Sequence, residues 1–466
     1  MFSSVVRNKR SGIALVSAAA TAIYTTRKQR ELKYSAGSDI NKSKRIVVIG
    51  GGTAGIGVSA MLGNEGFTNV SCIEPKDKHY YQPIWSMVGC GAADNSVSVR
   101  NMKDVFPSNA KWIQNSASNI DAENNIVTLA DGTKMEYDYL VVAAGLEADW
   151  TALPGLDEAM KDEKSGVVSI YDYHYAEKTW NTIRNFTKGR ALFTMPTTPV
   201  KCPGAPQKIM WQMEERLRDH RMRDNCDVEW WVPGGAMFGV KKYSDMLDIL
   251  QKERNIIPHF KHALQSIDGP NKVAVFKDLV TGEMKSEKYD MLHVVPPLAP
   301  PHVVKSSPLA APSGFVEVDK HTLQSTKFPN VFALGDCTTT PNSKTAAAVT
   351  KQAPILVHNM QQVMNGQPAN AKYNGYASCP LITGKNQVIL AEFGYDGKIM
   401  ETFDPKTGKF PYTWIGQEGY FQKRFFYWMK KDMFPYVYWN LWTKGKWFGS
   451  SGPFKPNVLE NNDTED

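Results

Sequence analysis

The sequence predicts an α/β fold, and three observations carry that expectation. Short apolar strand candidates alternate with helix-compatible segments through most of the chain. Two of these candidates, 44–49 and 228–232, run into glycine-rich turns. A third, 328–334, ends in Gly335-Asp336 and precedes a helix rich in small residues. Strand, glycine turn and helix form the unit of a three-layer, Rossmann-like domain. Two such domains are therefore expected, followed by a C-terminal segment whose aromatic and cationic residues suit a membrane surface.

The first turn, Ile49-Gly50-Gly51-Gly52-Thr53-Ala54-Gly55, matches G-x-G-x-x-G at Gly50, Gly52 and Gly55. Gly50 allows the tight turn, Gly52 lets the backbone approach a pyrophosphate, and Gly55 lets helix and strand pack closely. The helix N-terminus offers unpaired N–H groups and a partial positive charge to that pyrophosphate. The next apolar run, 70–73, ends at Glu74, where a carboxylate can grip ribose hydroxyls. A further strand reading, 134–142, leads into Ala143-Ala144-Gly145.

The second turn, Pro233-Gly234-Gly235-Ala236-Met237-Phe238-Gly239, has alanine where the second glycine of the fingerprint belongs. The apolar stretch after it, 255–258, ends without an acid or arginine for a ribose. The domain reads as retained and its nicotinamide site as lost. Asp336 is placed to accept from a ribityl hydroxyl. The helix expected from Lys344-Thr345 would turn its positive end toward a flat ring.

The chain has 466 residues and a formal net charge of +7. The charge is uneven: Arg7, Lys9, Arg10, Arg27, Lys28 and Arg30 precede the first acid, Glu31. With Ser, Ala and Thr between them, they read as a mitochondrial presequence. Its apolar centre, 13–24, is short for a bilayer span. The expected divisions are a targeting segment 1–40, the first dinucleotide-binding domain 41–155, the second 156–320, the return of the first 321–368, and a membrane-interface region 369–466.

Six cysteines stand at 72, 90, 202, 226, 337 and 379, and none forms C-x-x-C. That excludes a zinc ribbon or thioredoxin motif, and no metal site is expected. Cys202 lies before the helix-compatible run 207–217, beside Lys201 and ahead of Pro203. A helix N-terminus and a neighbouring cation would both favour its thiolate. Cys379 precedes Pro380, which biases it toward extended backbone. Spacing alone leaves open whether these two pair, and Cys90 is ambiguous. The other three read as structural.

Residues 420–448 interleave aromatics with Lys and Arg, and Asp432 is their only acid. Two short amphipathic helices broken at Pro435 would lie in a membrane interface without crossing it. An aromatic core or dimer contact is the alternative. Nothing else in the chain supports stacking on nucleic acid.

The motifs IGGGTAGIG, HYYQPIW (79–85), TPVKCPGAPQKIMW (198–211), FGVKKY (238–243), LGDCTTTPNSKTAAAV (334–349) and YASCPLITG (376–384) together carry a resemblance. From residue 44 to the tail the chain is similar to sulfide:quinone oxidoreductases of the mitochondrial type, flavoproteins of the two-dinucleotide disulfide-reductase fold. The resemblance implies a redox pair of Cys202 and Cys379. It implies FAD held by Gly50, Gly51, Gly52, Thr53, Ala54, Gly55, Glu74, Gln82, Gly145, Asp336 and Lys344. It implies a quinone and membrane contact through Phe421, Phe425, Trp428, Tyr436 and Trp439. Hydrogen sulfide, ubiquinone and a small sulfur acceptor (glutathione, sulfite or cyanide) would be the partners, at the mitochondrial inner membrane, and a homodimer is compatible with this. A type II NADH:quinone oxidoreductase would need a working second glycine turn and neither cysteine. A non-catalytic flavin-binding scaffold is the remaining alternative.

Overall fold

A computed structural model describes residues 40–403 and 420–459, and the side chains of 420–423 lie outside that description. All of the expected targeting segment 1–40 except residue 40 therefore falls outside the described residues, as does the side chain of Phe421. In chain order the elements that build the site begin with β1 (Ile46–Ile49), α1 (Thr53–Asn64), β2 (Val70–Ile73), β3 (Lys111–Ile113) and β4 (Tyr139–Val142). The second group is β5 (Val167–Val168), β6 (Gly189–Thr194), α2 (Ala205–Asp219), β7 (Cys226–Val232), α3 (Lys241–Glu253), β8 (Ile257–Phe260) and β9 (Met291–His293). Then come β10 (Val331–Ala333), α4 (Ala346–Met364), β11 (Ala377–Gly384), β12 (Gln387–Phe393), α5 (Tyr420–Trp428) and α6 (Phe434–Asn440).

The first sheet is wholly parallel, in the order β10-β4-β1-β2-β3. Its central strand reads Ile-Val-Val-Ile and is buried along its whole length, as expected of a parallel strand covered on both faces. The chain leaves this sheet after β4 and returns to it at β10, where Val331 pairs with Leu140. The run 134–142 is divided between two sheets: Lys134–Glu136 joins an antiparallel sheet and only Tyr139–Val142 joins this one. The break falls at Tyr137-Asp138, where the Asp138 carboxylate accepts from the Arg45 backbone at 2.7 Å and holds the chain at the foot of β1.

The second sheet is also parallel, in the order β5-β9-β6-β7-β8. Pro258 sits on its edge strand, where a missing N–H breaks no ladder. Phe193 and Trp230 from this sheet and Ile209, Trp211 and Met213 from α2 share one buried cluster. The antiparallel pair β11–β12 belongs to that cluster through Ala377, Cys379, Leu381 and Phe393. Arg254 fastens the hairpin by donating to Thr383 O at 2.5 Å and to Gln387 Oε1 at 2.9 Å.

The tail departs from expectation at Pro435. It does not break there; a π turn, Met429–Met433, joins α5 to α6, and Pro435 lies in the first turn of α6. A proline is tolerated in a first turn, and the wider π turn makes the change of register. Nor do all the aromatics face outward. Trp428 and Tyr436 are 42% and 66% exposed, whereas Tyr438 and Trp442 are buried. No helix among the described residues is long and apolar enough to cross a membrane.

Candidate active site

The glycine turn at the end of β1 is a cradle with a closed floor and an open mouth. Gly50 has φ +95°, and a side chain there would meet the Ala143 carbonyl at 2.6 Å. A Cβ on Gly55 would lie 1.7 Å from Gly50 O, so only glycine lets α1 sit this close to the turn. Gly52 and Gly145, by contrast, face open space. Gly52 caps α1 without a side-chain hydrogen bond, leaving first-turn N–H groups for an anion. Glu74 stands beside this mouth and accepts from Gly51 N at 2.8 Å. The uncapped helix, the open glycines and the adjacent carboxylate fit a dinucleotide.

Asp336 is half-buried at the end of β10, next to α1: Gly335 has φ +78°, and a side chain there would touch Ala54. Burial lifts the Asp336 carboxyl above its ordinary pKa, against the pull of Lys201 and Lys344. α4 begins as expected, with Thr345 as its cap accepting from Ala348 N. Lys344 does something the sequence did not indicate. Its ammonium donates to Thr338 O at 2.8 Å and Thr340 O at 2.9 Å, and its carbonyl accepts from Cys202 N at 2.7 Å. It thus ties the loop after Asp336 to Cys202. Thr53 bonds the tail: its hydroxyl meets Tyr438 OH at 3.0 Å and its carbonyl accepts from Trp442 Nε1 at 2.9 Å. Gln82 is exposed and accepts from Lys201 Nζ at 3.5 Å.

Cys202 and Cys379, 177 residues apart, place their sulfurs 3.2 Å from one another. Cys202 stands ahead of α2 and not in its first turn, which Pro206 occupies. Its φ of +51° is left-handed, a conformation costly for a non-glycine residue. Three hydrogen bonds fix it: to Lys344 O, from Ala205 N at 2.8 Å, and from Tyr171 OH to the preceding carbonyl at 3.0 Å. Gly204 is glycine for a steric reason, since a Cβ there would come within 2.5 Å of Cys379 Sγ. Cys379 lies in β11 opposite Ala391, fully buried.

Lys208, in the first turns of α2 and buried, donates to Cys202 Sγ at 3.4 Å. The hydrogen bond from Cys379, then Lys208, hold the Cys202 thiol well below its ordinary pKa despite burial. The same bond, with burial, keeps the proton on Cys379. Burial opposes the charge on Lys208, but the two sulfurs raise it to about 12. The arrangement thus favours the anion on Cys202, beside the Lys208 ammonium, and the proton on Cys379. Burial pushes Cys72 and Cys90 up to about 12 and Cys337 to about 11. Cys90 donates to Gln212 Oε1 at 2.8 Å.

The second glycine turn is filled from within. Met237 and Phe238 are buried, Met237 O accepts from Gln207 Nε2, and Phe238 packs edge-on against Phe393. Sequence reasoning missed Lys208, Tyr171, His79 and Lys430. For Lys208 a signal existed: it lies six residues beyond Cys202, in the first turn of a helix that Pro206 helps to start. His79, neutral because burial lowers its pKa to about 4, shares a 2.6 Å hydrogen bond with Tyr438 OH. Among the outward candidates, Trp428 and Tyr436 are exposed and Phe425 is half-buried, whereas Trp439 turns inward and donates to Val97 O at 3.0 Å.

Residues 44–188 match the family described as pyridine nucleotide-disulphide oxidoreductase. The mitochondrial sulfide:quinone oxidoreductase of Dictyostelium discoideum is 44% identical over 430 residues, covering 90% of this chain and 91% of that protein. The corresponding protein of Mus musculus is 42% identical over 406 residues, covering 87% of each. The solved sulfide:quinone oxidoreductase of Aquifex aeolicus superposes with a TM-score of 0.73 at 19% identity, over 91% of this chain and 96% of that one, and so shows the fold. On the strength of the first two likenesses, the chain belongs to the mitochondrial sulfide:quinone oxidoreductase family.

Proposed function

We propose that this chain oxidises hydrogen sulfide to sulfane sulfur and reduces ubiquinone, with FAD as cofactor, at the mitochondrial inner membrane. The observation that carries the reading is the Cys202–Cys379 pair with the Lys208 ammonium on Cys202. When bound, FAD takes up two electrons from the sulfur side and delivers them to the quinone. Gly50, Gly51, Gly52, Thr53, Ala54, Gly55, Glu74, Gln82, Gly145 and Asp336 would hold it, with Lys344 ordering the loop beside it.

The sulfur chemistry follows from what the residues can do. Hydrosulfide attacks the Cys379 sulfur of a bridge to Cys202. The bond between the bridge sulfurs breaks, and its electron pair leaves on the Cys202 side as an anion that Lys208 stabilises. Cys379 then carries –S–SH. Exchange is fastest when the departing thiolate is stable, and the setting of Cys202 provides that. A small nucleophile such as glutathione or sulfite removes the sulfane sulfur from Cys379. Loss of two electrons from the two cysteines restores the bridge, and the net change is sulfide to sulfane sulfur with two electrons and two protons released. Phe421, Phe425 and Trp428 on α5, with Tyr436 on α6, would meet the lipid from which the quinone enters.

The test is anaerobic flavin absorbance on mixing the holoenzyme with sulfide, for wild type, Cys202→Ser and Cys379→Ser, with NADH run in parallel. Sulfide is expected to bleach only the wild type. Bleaching by NADH that survives both substitutions would overturn the assignment in favour of an NADH dehydrogenase.

A further inference from the structure

Lys430 belongs to the aromatic tail, yet it is only 3% exposed. The π turn Met429–Met433 rotates it inward, while Lys431 and Asp432 on the same turn are half-exposed and exposed. π turns inserted between α-helical segments recur at functional sites. The Lys430 ammonium donates to Pro83 O at 2.6 Å, its one hydrogen bond among the described residues. An ammonium carries three donors, so this leaves two for other partners. Pro83 follows Gln82, which contacts Lys201, and Lys201 precedes Cys202. The segment after Pro83 packs on α2, where Gln212 donates to Ser86 O at 3.1 Å and to Lys208 O at 2.8 Å, so Pro83 O holds the buried head of Lys430 beside the helix that carries Lys208. The charges of Lys208 on α2, Cys202 ahead of α2 and Cys379 on β11 act on it. No carboxylate forms an ion pair with it among the described residues. A buried cation without a carboxylate is expensive unless an anion forms beside it.

We propose that Lys430 is a second cation of the sulfur site, delivered by the tail. Together with Lys208 it stabilises the negative charge that appears on Cys202 when the bridge opens. It acts by field and by its fixed position on the Pro83 carbonyl, without bonding to the substrate. Sulfur chemistry then depends on the tail being seated. Burial, with Lys208, lowers its pKa to about 7, while the two cysteines pull it up. Its charge is therefore responsive: a new anion on Cys202 draws a proton onto it at neutral pH.

This inference rests on Cys202 being the proposed leaving sulfur, and its test separates the two. Reduced holoenzyme is alkylated with iodoacetamide across a pH series, and labelling of the Cys202 peptide is followed by mass spectrometry. Lys430→Met is expected to move the labelling midpoint up by about one pH unit, a tenfold loss of labelling on the acid side. Lys430→Arg keeps the cation and is expected to restore the wild-type midpoint. Lys431→Met, a change on the outer side of the same turn, leaves it unmoved. A merely structural role would disturb FAD content and both Lys430 variants alike, and that result overturns the proposal. So does a Lys430→Met midpoint equal to wild type, whether or not sulfide bleaches the flavin. Sulfide bleaching of the same samples reports separately on the reaction.

Discussion

Replacing Lys208 by methionine removes the one ammonium hydrogen-bonded to Cys202 and keeps most of the helix's buried volume. At 3.4 Å the pair is a charge-assisted hydrogen bond inside a water-poor site. Such bonds contribute about 1.5–3 kcal/mol net. At 1.36 kcal/mol per unit, the Cys202 thiol should rise by about one to two pH units. The sign follows from the direction of the shift: Cys202 is depressed, so its anion is present above its pKa and lost as pH falls through it. Losing Lys208 moves that acid limb upward. On the acid side of that limb, sulfide-driven flavin reduction should then slow about 10- to 100-fold, with Lys208→Arg retaining most of the rate. Stopped-flow absorbance across a pH series reads both the limb and the plateau. An acid limb that stays in place while the plateau falls would refute the electrostatic role and leave Lys208 as packing.

Two further substitutions test the geometry around the site. Gly204→Ala drives a methyl group to within 2.5 Å of Cys379 Sγ and 2.4 Å of Leu381. Overpacking of this kind costs about 1–3 kcal/mol, visible as a lower Tm, and separation of the sulfurs should abolish sulfide bleaching. Tyr438→Phe removes the hydroxyl shared by His79 and Thr53. Leaving buried His79 and half-buried Thr53 without that partner costs about 1–3 kcal/mol, and because Thr53 opens the cradle helix, FAD should bind about 5- to 100-fold more weakly by fluorescence titration. Unchanged FAD affinity would mean that the tail does not brace the cradle.

What could be read from the chain divides along the range of the interactions involved. The first cradle was legible because Gly50, Gly52 and Gly55 answer steric demands made within a few residues. Asp336 was legible for a similar reason, as an acid at the end of a short buried strand. The cysteine pair was not legible from spacing. Cys202 and Cys379 meet only because α2 and β11 pack into one core, and the resemblance supplied what spacing lacked. Lys208 and Lys430 were hidden by their type: in a helix or an aromatic run, a lysine reads as a solvated residue. Their burial is decided by elements far away in the sequence. Lys344 was named as a cofactor residue by the resemblance alone; its further contacts, the ammonium to the Thr338 and Thr340 carbonyls and the backbone to Cys202, depend on the loop's fold. Pro435 was read as a break because a helix interior would reject it, and a π turn cannot be seen in composition.

The tail has two faces with separate tasks. Trp428 and Tyr436 keep large aromatic surfaces exposed, as a lipid contact requires. Tyr438 and Trp442 bond Thr53, Trp439 bonds Val97 O, and Lys430 bonds Pro83 O, so each inward residue completes a group near the cradle or the sulfurs. Trp442 also fills the space over Gly57, where a side chain on the helix would collide with its ring at 2.2 Å. Truncating a buried tryptophan of this kind costs about 3–5 kcal/mol, more than a surface-bound helix could lose unnoticed. Deleting the tail would therefore expose Gly57 and unpair Thr53 and His79, besides removing the proposed cation of the sulfur site and the proposed lipid contact. Loss of activity on deletion cannot identify the quinone's point of entry. Polar substitutions at Trp428 and Tyr436 leave the inward contacts intact, and only they isolate the membrane's contribution.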